Sequence, residues 1–119
     1  MLVDWIHING QEYLKFKFDK KLSKEQASMA ITHWKVAFEQ RQGERFPLLW
    51  DCTDLQDYDP MARSLWQRAM KELGSQTGQI WLISPSKLIK AGAIVMSVIT
   101  KINIKVVDSL AEIRERLAA

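Results

Sequence analysis

The chain has 119 residues, of which 47% are hydrophobic and 26% are charged, and its formal net charge is +3. This length and composition are typical of one globular domain and exclude a disordered chain. The slight positive charge comes without an aromatic stacking motif or a base-reading helix, which argues against nucleic acid as a partner.

The absence of a recognisable targeting signal and the single cysteine both favour the cytoplasm. The first residues lack the basic and then apolar layout of a signal peptide, and no apolar run approaches the ~18 residues of a membrane span. Cys52 is the only cysteine, so an internal disulfide and a four-cysteine zinc site are excluded. We expect a cytoplasmic protein without a resident metal or cofactor.

The chain begins with a predicted β-hairpin. Residues 2 to 8 are rich in β-branched and aromatic types, and Asn9-Gly10 directly after them is a strong signal for a two-residue turn. Apolar and charged side chains alternate over residues 13 to 18, as in a strand with one solvent-exposed face. The second strand is therefore half buried.

A helix and a buried strand follow. Ser23 and Gln26 have the spacing of a capping box, and apolar residues recur at helical spacing from Ala27 to Phe38 before Gly43 predicts a stop. Phe46 to Cys52 is a continuous apolar run, which indicates a strand covered on both faces.

The rest of the chain alternates helices and strands. Asp59 and Pro60 predict the start of a second helix that ends at Gly74. The later elements are a strand over Ile80 to Ile83, a third helix over Lys87 to Thr100, a strand over Ile102 to Val107, and a last helix capped by Asp108 or Ser109.

The element order is thus ββαβαβαβα, which predicts an α/β fold in a single domain over residues 1–119. Strands separated by helices need right-handed crossovers and a parallel sheet with helices on its faces. We therefore expect a five-stranded, mostly parallel sheet whose N-terminal hairpin strand is antiparallel.

Three stretches of the chain resemble the SpoIIAA-like family, whose members are related to the STAS domains and to bacterial anti-sigma-factor antagonists. They are the hairpin Ile6 to Phe18, the strand end Leu48-Leu49-Trp50-Asp51 that leads to the helix at Pro60, and the run from Ile80 through Leu88-Ile89 to Glu112. The resemblance implies a SpoIIAA-like fold and a role in binding rather than catalysis. Members of the wider superfamily bind anti-sigma kinases, nucleotides or, in some branches, lipids or membranes.

The chain departs from the antagonists at the position where they are phosphorylated. Their switch is a serine in an Asp-Ser-Ser-Gly stretch that opens the second helix, and the matching stretch here is Asp59-Pro60-Met61-Ala62. A phosphate switch needs a hydroxyl, and neither Pro60 nor Met61 has one. Ser64 lies a turn further on, on the helix body. We therefore predict no phosphoswitch at this position.

The loop from Asp51 to Asp59 is a candidate binding edge, because ligands gather at the carboxyl ends of parallel strands. It holds Asp54, Asp57 and Asp59 with no Lys or Arg of its own, and Tyr58 is a candidate contact residue beside them. Such a loop would attract a basic peptide or a divalent cation, although aspartates are also ordinary turn residues.

Ser84 and Ser86 open the third helix at the same edge, where they could hold an anion or only cap the helix. Catalytic motifs are absent from the sequence: there is no nucleophile elbow, paired His-Glu motif or glycine fingerprint. Cys52 could pair with His7 or His33 as a nucleophile and base only if the fold joined them, and a buried structural cysteine is the alternative.

The third helix is apolar nearly all round, since Lys90, Gly92 and Ser97 are the main breaks between Leu88 and Ile99. A sheet hides one face only, so side chains such as Ile94 and Val98 should meet a second subunit, another protein, an apolar ligand or a membrane surface, unless the core buries them.

The sequence therefore predicts a non-catalytic, STAS-like protein-interaction module. The predicted contact residues are Asp54, Asp57, Tyr58, Asp59, Ser84, Ser86, Leu88, Ile94 and Val98. We expect a protein partner and a homodimer. The alternative is a small apolar-ligand or phospholipid binder that attaches peripherally to a membrane. The chain has five tryptophans, and one or two of them at the rim of a pocket would contact such a ligand.

Overall fold

The computed structural model describes residues 1–118, in which seven strands and four α-helices are formed. In chain order the elements are β1 (Leu2–Ile8), β2 (Gln11–Lys17), β3 (Lys21–Leu22), α1 (Lys24–Gln40), β4 (Leu48–Asp51), β5 (Asp57–Tyr58), α2 (Pro60–Leu73), β6 (Ile80–Ile83), α3 (Lys87–Thr100), β7 (Ile104–Val107) and α4 (Leu110–Ala118).

The N-terminal hairpin forms as the sequence predicts. Asn9 and Gly10 have φ angles of 50° and 80°, the left-handed backbone that a two-residue hairpin turn requires. The turn sets the register, in which Leu2 lies opposite Lys17 on the neighbouring strand.

The main sheet has five strands in the order β1-β2-β4-β6-β7, with β1 antiparallel to β2 and every other pair parallel. The predicted α/β fold is confirmed. Because the parallel strands are added in one direction, crossovers of the same hand place α1, α2 and α3 on the same face. The C-terminal helix α4 covers the other face.

A second, two-stranded parallel sheet joins β3 to β5 and was missed by the sequence analysis. Lys21 pairs with Asp57 and Leu22 with Tyr58. Each strand has two residues, too few for alternation of apolar and polar side chains to be detected. This small sheet ties the loop after β2 to the loop before α2.

Helix ends follow local capping chemistry. Ser23 Oγ accepts the N–H of Gln26 at 3.1 Å, but the Gln26 side chain donates to Asp19 rather than returning to Ser23, so the predicted capping box is half formed. At the last helix the cap is Ser109, whose Oγ accepts the N–H of Glu112 at 3.2 Å.

The core on the three-helix face is dominated by aromatic rings. Trp34, Trp50 and Trp66 contact one another with ring centroids 5.4–6.1 Å apart, and Phe16 packs edge-on to two of them. Edge-to-face contacts of this kind stabilise a core beyond the area that they bury. On the opposite face Trp81 packs with Ile113 of α4.

Candidate binding surfaces

The carboxyl edge of the sheet gathers the loops that the sequence analysis selected. The backbone N–H of Cys52 bonds to the carbonyl of Ile83, and the N–H of Ser84 bonds to that of Val107. The acidic loop after β4 and the serine loop after β6 therefore lie side by side.

Two lysines from other segments pair with three of the four aspartates of the acidic loop. Lys17 Nζ lies 3.5 Å from Asp51 Oδ2 and 3.2 Å from Asp54 Oδ2, and Lys21 Nζ lies 3.2 Å from Asp59 Oδ1. Sequence reasoning missed this compensation, because the lysines stand more than thirty residues before their partners. The loop is thus partly ion-paired, and its four aspartates still outnumber the two lysines.

Asp57 and Tyr58 sit on the small sheet above this edge. Asp57 is exposed, and its Oδ1 accepts the backbone N–H of Tyr58 at 2.8 Å. Within residues 1–118, no three His, Cys, Asp or Glu side chains come close enough together to hold a metal ion.

Asp51 is the most constrained carboxylate of the loop. Burial alone would raise the pKa of Asp51, but the Thr53 hydroxyl, the Thr53 N–H at 3.1 Å and the nearby Lys17 hold it below its ordinary value. Hydrogen bonds and an opposite charge favour the ionised form. Asp51 therefore organises the loop.

The serines at the start of α3 cap the helix. Ser84 is buried and its Oγ accepts the N–H of Ser86 at 3.0 Å, while Ser86 Oγ accepts the N–H of Ile89 at 3.3 Å. These bonds satisfy amides that an anion would otherwise contact.

At the start of α2, Pro60 and Met61 occupy the first turn, and Asp59 makes no side-chain cap there because it pairs with Lys21. Ser64 donates its hydroxyl to the carbonyl of Pro60 at 3.2 Å, on the body of the helix as predicted.

The structure keeps the candidate nucleophile apart from solvent. Cys52 is buried in the core, and burial raises the pKa of its thiol far above the ordinary value. His7 and His33 are both exposed, the first on the outermost strand β1 and the second on α1.

One side of α3 is an exposed apolar stripe. The exposed fractions of Leu88, Ile94 and Val98 are 62%, 58% and 74%, and Val95 and Ile99 complete the stripe. Ile89 and Ala93 on the opposite side are buried against the sheet and α2. The helix layer ends at α3, and the residues that pack it against the core lie on the side opposite the stripe.

An apolar cavity of about 80 Å³ lies between α2, α3 and the sheet, beneath the small sheet. Its lining residues are Phe18, Leu22, Trp50, Cys52, Leu55, Tyr58, Arg63, Trp66, Leu82, Ile89, Gly92, Ala93, Met96 and Ile104. Of the sequence-predicted contact residues, only Tyr58 lines it. The cavity could not be read from the sequence, because it depends on how three elements pack.

The strand order, the antiparallel hairpin and the row of crossover helices define the class: this chain has a SpoIIAA-like α/β fold. No family model and no curated protein sequence matches the chain.

Two solved structures carry the assignment of the fold. One is a protein of the DUF3478 family with a SpoIIAA-like fold from Shewanella loihica PV-4, which is 17% identical with a TM-score of 0.81 over 98% of this chain and 92% of that one. The other is the anti-sigma factor antagonist SpoIIAA in its unphosphorylated form, which is 15% identical with a TM-score of 0.66 over 99% of both chains. The resemblance seen in the sequence is confirmed at the level of the fold.

Proposed function

We propose that this chain is a non-catalytic, STAS-like regulatory module that acts by binding a protein partner, and that the apolar stripe of α3 is its contact surface. The observation that carries the proposal is the stripe itself, in which three large side chains are each more than half exposed. Contiguous apolar surface on a soluble domain marks an interaction site.

A second copy of the chain is the first partner that we propose. The stripe is apolar along its length, and self-association would cover the same patch on both subunits, as in the commonest oligomers. Asp54, Asp57, Tyr58 and Asp59 form the polar border of this contact at the carboxyl edge, next to the capped start of α3. SpoIIAA, whose fold is shared, is named as an antagonist of a protein factor.

This module would not be switched by phosphate at the start of α2, because Pro60 and Met61 there carry no hydroxyl. The buried thiol of Cys52 supports the non-catalytic part of the proposal, since a nucleophile must reach its substrate as the thiolate.

Peripheral membrane attachment of a cytoplasmic protein, with binding of an apolar ligand or phospholipid, is the second candidate. Lys87 and Lys101 flank the stripe, Lys90 beside it pairs with Asp108, and residues 73–107 contain no acidic residue. A helix with an apolar face and flanking cations lies well on an anionic bilayer surface. No helix within residues 1–118 has the length and apolar character needed to cross a bilayer.

Two measurements on the same variants separate the candidates. Ile94→Asp and Val98→Asp each place a charge on the stripe, and Met29→Asp places one on an exposed apolar residue of α1 as the control. Sedimentation velocity reports the oligomeric state, and co-sedimentation with phosphatidylglycerol vesicles, against phosphatidylcholine vesicles, reports lipid binding.

We expect the unmodified chain to be dimeric without vesicle binding, the two stripe variants to be monomeric and folded, and Met29→Asp to remain dimeric. Vesicle binding that is lost in both stripe variants, from a chain that is monomeric in solution, would replace the first candidate by the second.

A further inference from the structure

The cavity between α2 and α3 has an asymmetric lining. Most of its lining side chains are buried and apolar, whereas the mouth is formed by the partly or fully exposed residues Tyr58, Arg63, Gly92 and Met96. A molecule that enters would therefore contact apolar atoms inside and polar atoms at the rim.

Hydrogen-bond donors predominate among the polar groups of this lining. Arg63 is the one charged residue there and makes no ion pair with any residue in the described part of the chain. Tyr58 contributes a hydroxyl, whose oxygen lies 3.4 Å from the place that a Cβ on Gly92 would take. Arg63 and Tyr58 can both donate hydrogen bonds to a ligand at the mouth.

The charge around the mouth is mixed. The two helices that form the walls carry five cationic residues and a single acidic one, Glu72 near the far end of α2. Lys90 pairs with Asp108, however, and Asp57 beside Tyr58 is an exposed carboxylate. An anion at the mouth would therefore be bound by Arg63 itself.

We propose that this cavity binds a small amphiphilic monocarboxylate, with its apolar tail against Trp50 and Trp66 and its carboxylate on Arg63 and the Tyr58 hydroxyl. At about 80 Å³ the cavity is smaller than the ~150 Å³ space that holds a benzene ring. A space of this size encloses only the terminal carbons of a short, flexible aliphatic tail, and the remaining carbons lie in the open mouth beside Tyr58 and Gly92. The inference rests on the proposed binding role but not on the α3 stripe, which faces away from the cavity.

The probe is hexanoate, with hexanol as the neutral molecule of the same tail, each titrated by calorimetry and followed by amide NMR. We expect saturable hexanoate binding that shifts the amides around Gly92, and weaker binding of hexanol. Arg63→Gln should weaken hexanoate binding by about tenfold, the usual effect of losing a charge-assisted hydrogen bond, and leave hexanol unchanged. Arg68→Gln, an exposed arginine of the same helix outside the lining, is the matched control and should bind hexanoate normally.

A second variant tests the place of the tail. Ala93→Leu should fill the cavity and abolish the binding of both molecules, while Ile94→Asp on the stripe should leave both unchanged. The absence of saturable hexanoate binding, equal binding of hexanoate and hexanol, or an Arg63→Gln titration that matches Arg68→Gln would overturn the proposal. So would hexanoate binding that survives in a folded Ala93→Leu protein. If Ala93→Leu does not fold, the comparison of Arg63→Gln with Arg68→Gln decides the test by itself. None of these outcomes changes the expected oligomeric state, so the cavity proposal and the proposed α3 contact surface can each fail without the other.

Discussion

Substituting Val98 by alanine should weaken the homodimer without weakening the fold. Val98 is the most exposed large apolar residue of the stripe, at 74%. The change removes two methyl groups, worth about 0.8 kcal/mol each when fully buried. Scaled by the exposed fraction that an interface could cover, the loss is about 1.2 kcal/mol for each chain.

In a two-fold dimer both copies carry the substitution, so the loss doubles to about 2.4 kcal/mol. This corresponds to a dimer dissociation constant raised roughly fifty-fold. The free energy of unfolding of the monomer should change by less than about 0.5 kcal/mol, as for an ordinary surface position.

The measurement is sedimentation velocity over a dilution series, with urea unfolding of each variant alongside. The matched control is Val36→Ala on α1, where the same two methyl groups are removed from a side chain that is 41% exposed. A dissociation constant that shifts equally in the two variants would show that α3 is not the contact surface. A chain that is monomeric at every concentration would refute the reasoning altogether.

Three further substitutions test the core, the acidic loop and the cavity rim. Trp34→Ala should lower the free energy of unfolding by about 3–5 kcal/mol in urea titrations, because Trp34 is fully buried at the centre of the aromatic cluster; a loss under about 1 kcal/mol would contradict this packing. The folded-state pKa of Asp51 is lowered. The stability that its ionised carboxylate contributes is therefore complete above the unfolded-state pKa of ~3.9 and is lost as the pH falls through the folded-state pKa. Asp51→Asn should therefore be less stable than the unmodified protein at neutral pH and lose less stability on acidification, and parallel stability curves would contradict the pKa assignment. Gly92→Ala should stabilise α3 by about 1 kcal/mol, because glycine is a poor helix former and a Cβ there would lie 3.4 Å from the Tyr58 hydroxyl oxygen, an ordinary contact; a lower melting temperature would show that Tyr58 needs that space.

Much of the fold could be predicted from residues that act on their near neighbours in the chain. Asn9-Gly10 makes its turn because both positions tolerate left-handed backbone, and Ser86 caps α3 through an amide three residues away. The strand predicted over Ile102 to Val107 begins only at Ile104 because Lys101 ends α3 in a left-handed conformation.

The same local reasoning described only part of the candidate site. The sequence shows that α3 is apolar nearly all round. Which side of α3 is exposed to solvent depends on its position at the end of the row of helices. From the sequence, the aspartates of the acidic loop have no basic neighbour. The parallel register of β2 and β4 places Lys17 beside Asp51.

The sequence by itself determined the turns, the caps, the order of elements and one helix too apolar for a single sheet to cover, because each depends on spacing within a few residues. The tertiary structure decided the pairing of charges, the small sheet of β3 and β5, and the cavity that Tyr58 and Arg63 border. Those features join residues far apart in the chain, and their contacts exist only once the sheet register and the packing of helices on the sheet have been established.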